Sequence, residues 1–142
     1  MQPGTAEERL VKQHAGARIL LAEDEPINQE VSRGLLEDAG MSVDLAADGN
    51  QAIAMASRQA YDLILMDMQM PNCNGLEATR AIRIAGLNRR TPILAMTANA
   101  FDDDRQACLD AGMDAHIAKP INPEVLYGTL LAWLGKPRID EG

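Results

Sequence analysis

The chain has 142 residues, 46% of them hydrophobic, and a formal net charge of -8. This length suits one domain that buries about two-thirds of its unfolded surface, so no disulfide or metal is needed to hold a core. Basic residues are scattered apart from Arg89-Arg90, and no apolar run approaches the roughly 20 residues of a membrane span. We therefore expect no contact with nucleic acid or membrane by this segment. Cys73 and Cys108 fit no metal spacing, which is typical of a reducing, cytoplasmic compartment.

Short apolar runs alternate with amphipathic stretches, and Gly, Pro and Asn mark the turns between them. The pattern predicts strands at 18–23, 42–46, 62–67, 92–97 and 115–118, and helices at 26–39, 50–58, 75–85, 101–111 and 123–134. Helix boundaries carry further signals: Pro26 and Pro123 suit a first turn, Asn122 suits a cap, and Gly40 and Gly112 suit helix ends. Strict alternation with short connections predicts an α/β domain with a parallel sheet and helices on both of its faces.

Two flanks fall outside these elements. Residues 1–17 contain Thr5-Ala6-Glu7-Glu8, a candidate capping box that would open a short helix through His14. The flank has few apolar residues, so we expect it to be a linker or the end of an upstream helix, without a core of its own. The predicted organisation is thus a linker or tail at 1–17, the main domain at 18–134 and a polar tail at 135–142.

Charged residues follow three of the predicted strands. Glu23-Asp24 follows the first strand, Asp67 ends the third, and Lys119 follows the fifth. Because parallel strands end at one edge of their sheet, these groups are expected to meet there. Two carboxylates about 5 Å apart repel by roughly 3 kcal/mol in an effective dielectric of 20, and a divalent cation removes that penalty. Magnesium prefers oxygen ligands, so Asp24 and Asp67 are candidate direct ligands, with Glu23 acting through water.

Asp67 is the candidate nucleophile of this edge. A carboxylate can accept a phosphoryl group as an acyl phosphate, and phosphoryl transfer needs mainly positioning and neutralisation of charge. Lys119 supplies a cation, and the hydroxyl of Thr97, at the end of the fourth strand, can donate to a phosphate oxygen. A simpler interpretation makes the acids and Thr97 caps of the following helices. It accounts for single acids but poorly for Glu23-Asp24 together with Asp67 and Lys119.

These residues resemble the receiver domains of two-component response regulators over about residues 18–134. The resemblance rests on Glu23-Asp24-Glu25-Pro26, Asp67-Met68-Gln69-Met70-Pro71 with Gly75, Met96-Thr97-Ala98 and Lys119-Pro120-Ile121. It implies a flavodoxin-like, doubly wound five-stranded parallel sheet of order 2-1-3-4-5 with five helices. It also implies phosphoryl transfer from a phosphohistidine to Asp67, with Mg²⁺ held by Glu23, Asp24, Asp67 and the backbone carbonyl of Gln69. Thr97 and Lys119 would contact the phosphoryl group.

Finer motifs are similar to receivers attached to hybrid sensor histidine kinases, among them Gly75-Leu76-Glu77-Ala78-Thr79-Arg80 and Thr97-Ala98-Asn99-Ala100. The resemblance then implies a histidine kinase core or a histidine phosphotransfer protein as partner. Such a domain assists its own phosphorylation and dephosphorylation and has no independent enzyme activity. One position departs from the pattern: His116 stands three residues before Lys119, where many receivers have an aromatic switch residue. Thr97 and His116 are therefore the switch candidates, and the alternative for His116 is a ring packed under the last helix.

Three other classes of protein share part of this pattern. A haloacid-dehalogenase-type phosphatase has a strand-end aspartate and magnesium, but needs an acid two positions later, where this chain has Gln69. A flavin-binding flavodoxin needs a Ser/Thr/Gly-rich phosphate loop and stacking aromatics, whereas residues 23–28 are acidic and the aromatic content is 3%. An interaction module with a decayed site is disfavoured because Glu23-Asp24, Asp67, Thr97 and Lys119 are all present.

Overall fold

The computed structural model describes residues 5–68, 70, 73–84, 87–97, 102–119 and 121–134, without the side chains of 102–105. The strands are β1 (Arg18–Ala22), β2 (Ser42–Ala46), β3 (Leu63–Asp67), β4 (Ile93–Thr97) and β5 (Ala115–Ala118). The helices are α1 (Ala6–His14), α2 (Pro26–Asp38), α3 (Gly49–Arg58), α4 (Gly75–Ile84), α5 (Asp102–Ala111) and α6 (Pro123–Leu134). Every predicted element of the main domain is thus confirmed, with ends that agree or differ by one residue.

The five strands form one parallel sheet in the order β2-β1-β3-β4-β5. Every residue of β3 and β4 is buried, because helices cover both faces of the sheet. Alternate residues of the strands face two separate clusters. One cluster packs against α3, α4 and α5 and contains Leu20, Ile64, Met66, Ile93 and Ala95. The other packs against α1, α2 and α6 and contains Ile19, Leu21, Leu65, Leu94 and Ile117.

The predicted helix boundaries rest on the expected local contacts. The Asn122 side-chain oxygen accepts a hydrogen bond of 2.9 Å from the Glu124 N–H, so it caps α6. Gly40 and Gly112 adopt φ angles of 87° and 105°, which L side chains rarely reach. These residues allow α2 and α5 to end within one turn of the strand that follows each of them. The turns of the chain therefore follow from local sequence.

The N-terminal flank is more closely joined to the domain than its composition suggested. The predicted capping box is present. The Thr5 N–H donates to Glu8 Oε1 and the Glu8 N–H donates to Thr5 Oγ1, both at 3.1 Å. Leu10 is completely buried in the cluster that contains the apolar face of α6. The Gly16 N–H also donates to the Gly40 carbonyl at 2.7 Å. Leu10, with Ala6 and Ala17 beside it, therefore joins α1 to the core, and the boundary at residue 18 remains a prediction.

Candidate functional site

The carboxyl edge of the sheet brings a lysine against two buried acids. Lys119 Nζ lies 2.9 Å from Asp67 Oδ2 and 3.2 Å from Glu23 Oε1. Asp67 is 3% exposed and Glu23 is fully buried. Because the interior screens charge less than water does, these ion pairs act more strongly than surface pairs. The sequence prediction that Glu23, Asp67 and Lys119 meet at one edge is confirmed in geometry.

Backbone pairing of the strands positions these side chains. The Glu23 N–H donates to the Ala46 carbonyl at 3.0 Å, which extends the pairing of β1 with β2 past the end of the strand. The Lys119 N–H donates to the Thr97 carbonyl at 2.8 Å and continues the pairing of β5 with β4 in the same way. Asp67 is the last residue of β3, between β1 and β4 in the sheet. All three charged residues therefore project from the same edge with fixed backbones.

A third acid completes a cluster that suits a cation. Glu23, Asp24 and Asp67 each place a carboxylate oxygen within 4.8 Å of the others, and Asp24 is exposed while the other two are buried. The Glu25 N–H donates to Glu23 Oε2 at 3.1 Å. Glu23 Oε1, apart from its ion pair with Lys119, accepts no hydrogen bond from the described part of the chain. A buried oxygen that lacks a hydrogen-bond donor fits a site that binds a hard cation and its waters.

The pKa values of the buried groups reflect this crowding. Burial, together with the nearby Asp67 carboxylate, raises the pKa of Glu23 above its ordinary 4.5, although the Glu25 N–H and Lys119 act in the opposite direction. Burial by itself would lower the pKa of Lys119, but Asp67 and Glu23 outweigh it and the net pKa is raised above 10.5. Lys119 is therefore a permanent cation at neutral pH, whereas a negative charge on Glu23 is disfavoured.

The two switch candidates lie at different depths. Thr97, the last residue of β4, is 7% exposed. His116 is half-buried in β5 and lines a pocket of about 410 Å³ together with Cys108 and Leu109 of α5. Its neighbour Ile117 occupies the other face, against α6. The interpretation that His116 packs under the last helix is therefore wrong, because the alternation of strand side chains turns the ring toward α5. Gln69, the predicted backbone ligand, lies outside the described residues.

Two supporting contacts were not predicted from the sequence. Gly75 begins α4 so close to β3 that a Cβ atom on it would collide with the carbonyl oxygen of Asp67. The side-chain amide of Gln29 donates to the Glu23 carbonyl at 2.7 Å and ties α2 to the acidic pair. Gly75 was recognisable only as part of a motif, and nothing in the sequence distinguished Gln29 from other surface glutamines. Both residues fix the backbone of an acid rather than its side chain.

Comparison with known proteins agrees with this geometry. The family described as "Response regulator receiver domain" matches residues 19–131. The crystal structure of the receiver domain of sensor histidine kinase PA1611 from Pseudomonas aeruginosa PAO1 superposes with a TM-score of 0.81 at 48% identity, over 86% of this chain and 100% of that one. Its magnesium ion is coordinated in the active site cleft.

Two curated relatives are much longer proteins. Histidine kinase 1 of Arabidopsis thaliana is 38% identical over 157 residues, covering 86% of this chain and 13% of that protein. Hybrid signal transduction histidine kinase I of Dictyostelium discoideum is 42% identical over 117 residues, covering 78% of this chain and 7% of that protein. The fold and the charged edge define a receiver domain, the phosphoacceptor module of two-component phosphorelays. This chain belongs to the response regulator receiver family, and it spans only a small fraction of the curated kinases that it matches.

Proposed function

We propose that Asp67 accepts a phosphoryl group from a phosphohistidine of a partner and that Mg²⁺ is the cofactor of this step. The carrying observation is the contact of Lys119 Nζ with Asp67 Oδ2 at 2.9 Å, beside the carboxylate oxygens of Glu23 and Asp24. Only at this cluster do three His, Cys, Asp or Glu ligand atoms converge within the described part of the chain. The candidate nucleophile Asp67 and the ammonium group of Lys119 thus lie together at the carboxyl edge of the sheet.

The residues that would hold the metal are Asp24 and Asp67 directly and Glu23 through water, with the Gln69 carbonyl as a further ligand. Asp24 is exposed, and Glu23 Oε1 lacks a hydrogen-bond donor, so both have oxygens available for a cation or its waters. When bound, Mg²⁺ would neutralise charge on the phosphoryl oxygens. The ion in the active site cleft of the PA1611 receiver supports this assignment.

The chemical step would use Asp67, Lys119 and Thr97, which lie at the carboxyl edge of the sheet. An Asp67 carboxylate oxygen attacks phosphorus, the phosphorus–nitrogen bond of the phosphohistidine breaks, and the electron pair of that bond leaves with the imidazole. Lys119, already paired with Asp67, would move its ammonium group onto a phosphoryl oxygen and offset the new charge. The Thr97 hydroxyl would donate to another of these oxygens. Asp67 is consumed as the acceptor, so no separate enzyme activity is assigned to the domain.

The partner is a protein that carries the phosphohistidine, either a histidine kinase core or a histidine phosphotransfer protein. This segment is then one part of a hybrid sensor histidine kinase, working in the cytoplasm. Next to the acidic edge, α2 exposes Ile27 and Val31, which are 70% and 50% exposed and one helical turn apart. An apolar strip beside the acceptor suits contact with a helix of such a partner.

Within the described residues, no helix has the length and apolar character to cross a membrane.

The test measures phosphate added to the intact protein by acetyl phosphate and Mg²⁺. We expect one phosphate on the wild type and none on Asp67→Asn. Asp62→Asn is the matched control, because Asp62 lies just before the same strand at its other end, where it accepts a hydrogen bond from the Arg18 N–H. Full incorporation in Asp67→Asn would refute the assignment, and continuous release of phosphate from a small ester would favour a phosphatase instead.

A further inference from the structure

Four arginines in and after α4 lie in a stretch of sequence without acids. Residues 78–101 contain Arg80, Arg83, Arg89 and Arg90 and not one Asp or Glu, in a chain whose formal net charge is -8. Four of the 13 basic residues are therefore concentrated in one short region. The proposed phosphoryl transfer uses none of them. Their placement in the fold decides whether they form a single surface.

Arg83 holds the region together at the end of α4. Its guanidinium donates to the carbonyls of Arg89 at 2.8 Å and Thr91 at 2.7 Å, and its Nε donates to the Gly112 carbonyl at 2.9 Å. The same group pairs with Asp114 at 2.8 Å. The segment 87–91 is thus fixed against the last turn of α4. Arg83 is fully engaged in this contact, and its role is structural.

The side chains around Arg83 point outward. Ile84 is 77% exposed and Leu87 is 56% exposed, while Arg80, Arg89 and Arg90 are also exposed. Arg80 and Ile84 are one helical turn apart and share a face of α4. We call the five residues Arg80, Ile84, Leu87, Arg89 and Arg90 the basic-apolar patch.

Two cations of the basic-apolar patch are available for a partner. Arg18, Arg33 and Arg83 each pair with a carboxylate, whereas among the described residues no carboxylate lies in ion-pair contact with Arg80 or Arg89. Exposed branched aliphatic side chains next to such cations are unfavourable in water, and they are common where proteins meet. The patch thus combines apolar area with positive charge on a domain that is acidic elsewhere.

Apart from Arg80, the basic-apolar patch lies at the opposite end of α4 from Asp67. Helix α4 begins at Gly75, against the Asp67 carbonyl, and ends beside Thr91 and Asp114, which precede β4 and β5. Ile84, Leu87 and the Arg89-Arg90 pair are therefore near the amino edge of the sheet, with the earlier turns of α4 between them and Asp67, and Arg80 lies in the middle of α4. A protein bound at this edge leaves Asp67 accessible.

We propose that the basic-apolar patch is a docking surface for an acidic segment of a partner protein, in which Asp or Glu residues flank apolar ones. Charge complementarity selects an acidic occupant, and Ile84 and Leu87 select one with apolar side chains. Anionic lipid surfaces are usually bound by clusters of about four to eight basic residues, more than this patch exposes. Single-stranded nucleic acid is bound with the help of stacking aromatics, and the patch has none.

The test titrates the full chain with a synthetic helical peptide in which glutamates flank a leucine stripe, and follows backbone amide resonances. We expect shifts concentrated at residues 80–91 and an affinity that falls by roughly tenfold or more in Arg80→Glu/Arg89→Glu. The matched control is Arg33→Glu/Arg58→Glu, which changes the total charge equally at exposed arginines of α2 and α3. Ile84→Ser, compared with Val125→Ser at the exposed Val125 of α6, tests the apolar part in the same way.

The outcomes separate this proposal from the phosphoacceptor role. Asp67 should be phosphorylated normally by acetyl phosphate in Arg80→Glu/Arg89→Glu, so loss of peptide binding there is not loss of fold or site. Equal weakening in both charge-reversed pairs, or shifts centred outside 80–91, would overturn the proposal. Binding of phosphatidylserine vesicles or of DNA at residues 80–91, without binding of the peptide, would also overturn it.

Discussion

The two edges of the sheet treat buried polar groups in opposite ways. At the carboxyl edge, Glu23 and Asp67 share one lysine, and Glu23 Oε1 lacks a hydrogen-bond donor among the described residues. At the amino edge, Asn88 is 1% exposed and its amide is fully bonded. Its Nδ2 donates to the Ala56 and Gln59 carbonyls at 2.7 and 2.8 Å, and its Oδ1 accepts from the Tyr61 N–H at 2.8 Å.

This difference shows where the domain carries its function. Buried polar groups are stabilising only when they are satisfied, so the amino edge holds loops together while the carboxyl edge costs stability. Under the proposed function, this cost leaves a crowded, partly neutralised set of acids that can receive a cation and a phosphoryl group. The amino edge supports the fold and presents the basic-apolar patch on its surface. The following substitutions test this contrast, from the largest expected effect to the smallest.

Asn88→Ala should be the most destabilising of these changes. It leaves the Tyr61 N–H and the Ala56 and Gln59 carbonyls without their partner in a buried place, at a cost of about 3–5 kcal/mol in the free energy of unfolding. Urea denaturation measures this loss. The control is Asn122→Ala, which removes an exposed helix cap and should cost about 1 kcal/mol. Equal losses in the two variants would show that the amino edge is not the more tightly bonded one.

Gly75→Ala should lower both the stability of the fold and the rate at which Asp67 is phosphorylated. The added methyl group meets the Asp67 carbonyl, so α4 must shift, at a cost of about 1–3 kcal/mol, and phosphorylation by acetyl phosphate should slow as Asp67 moves. Gly34→Ala is the control, because Gly34 lies inside α2 and, apart from the backbone of that helix and its two chain neighbours, nothing lies within 4 Å of the new Cβ. That variant should be about 0.5–1 kcal/mol more stable and react normally. If Gly75→Ala is phosphorylated at the wild-type rate, the packing of α4 against β3 does not control the reactivity of Asp67.

Glu23→Gln should stabilise the metal-free domain, because it removes a buried carboxylate whose charge is opposed by burial and by Asp67. The raised pKa of Glu23 means that the folded state holds its proton at a pH where the unfolded chain has lost it. Stability of the metal-free wild type should therefore fall as pH rises from 4.5 through the raised folded pKa, and Glu23→Gln should lack this fall. Thermal midpoints at several pH values measure it.

The same Glu23→Gln protein should gain less stability from added Mg²⁺ than the wild type, whose gain follows RT ln(1 + [Mg]/Kd). Arg33→Gln is a suitable reference, because it removes one charge from an exposed ion pair on α2. Identical responses of Glu23→Gln and the wild type to both pH and Mg²⁺ would contradict the claim that a negative charge on Glu23 destabilises the metal-free domain.

His116→Tyr should have the smallest effect and concerns signalling only. If the ring in the pocket beside α5 responds to the phosphoryl group, its proton resonances should move when beryllofluoride mimics phosphorylation, and His116→Tyr should change affinity for a phosphorelay partner by about fivefold. Phosphorylation of Asp67 should remain. Unchanged ring resonances with Asp67 demonstrably modified would exclude a switch at His116 and leave Thr97 as the candidate.

Much of the fold was predictable because local rules agree along the main domain. Apolar runs of strand length, helical periodicity, Gly40 and Gly112 at helix ends and the Asn122 cap all act within a few residues. The docking of α1 was less apparent, because it depends on a few apolar residues, Leu10 above all, that meet the distant helix α6. The side-chain hydrogen bonds of Asn88 join residues 27 to 32 positions apart, so no local sequence pattern predicts them.

For the site, the sequence by itself determined which groups are present and at which edge they meet, since the ends of parallel strands share one edge. Only the tertiary structure decided how these groups interact. It placed Lys119 between Asp67 and Glu23, left Glu23 buried, and turned His116 toward α5 rather than α6. The physical reason is that the succession of strands and helices along the chain follows from local patterns, whereas burial and pKa depend on every element packed around a group.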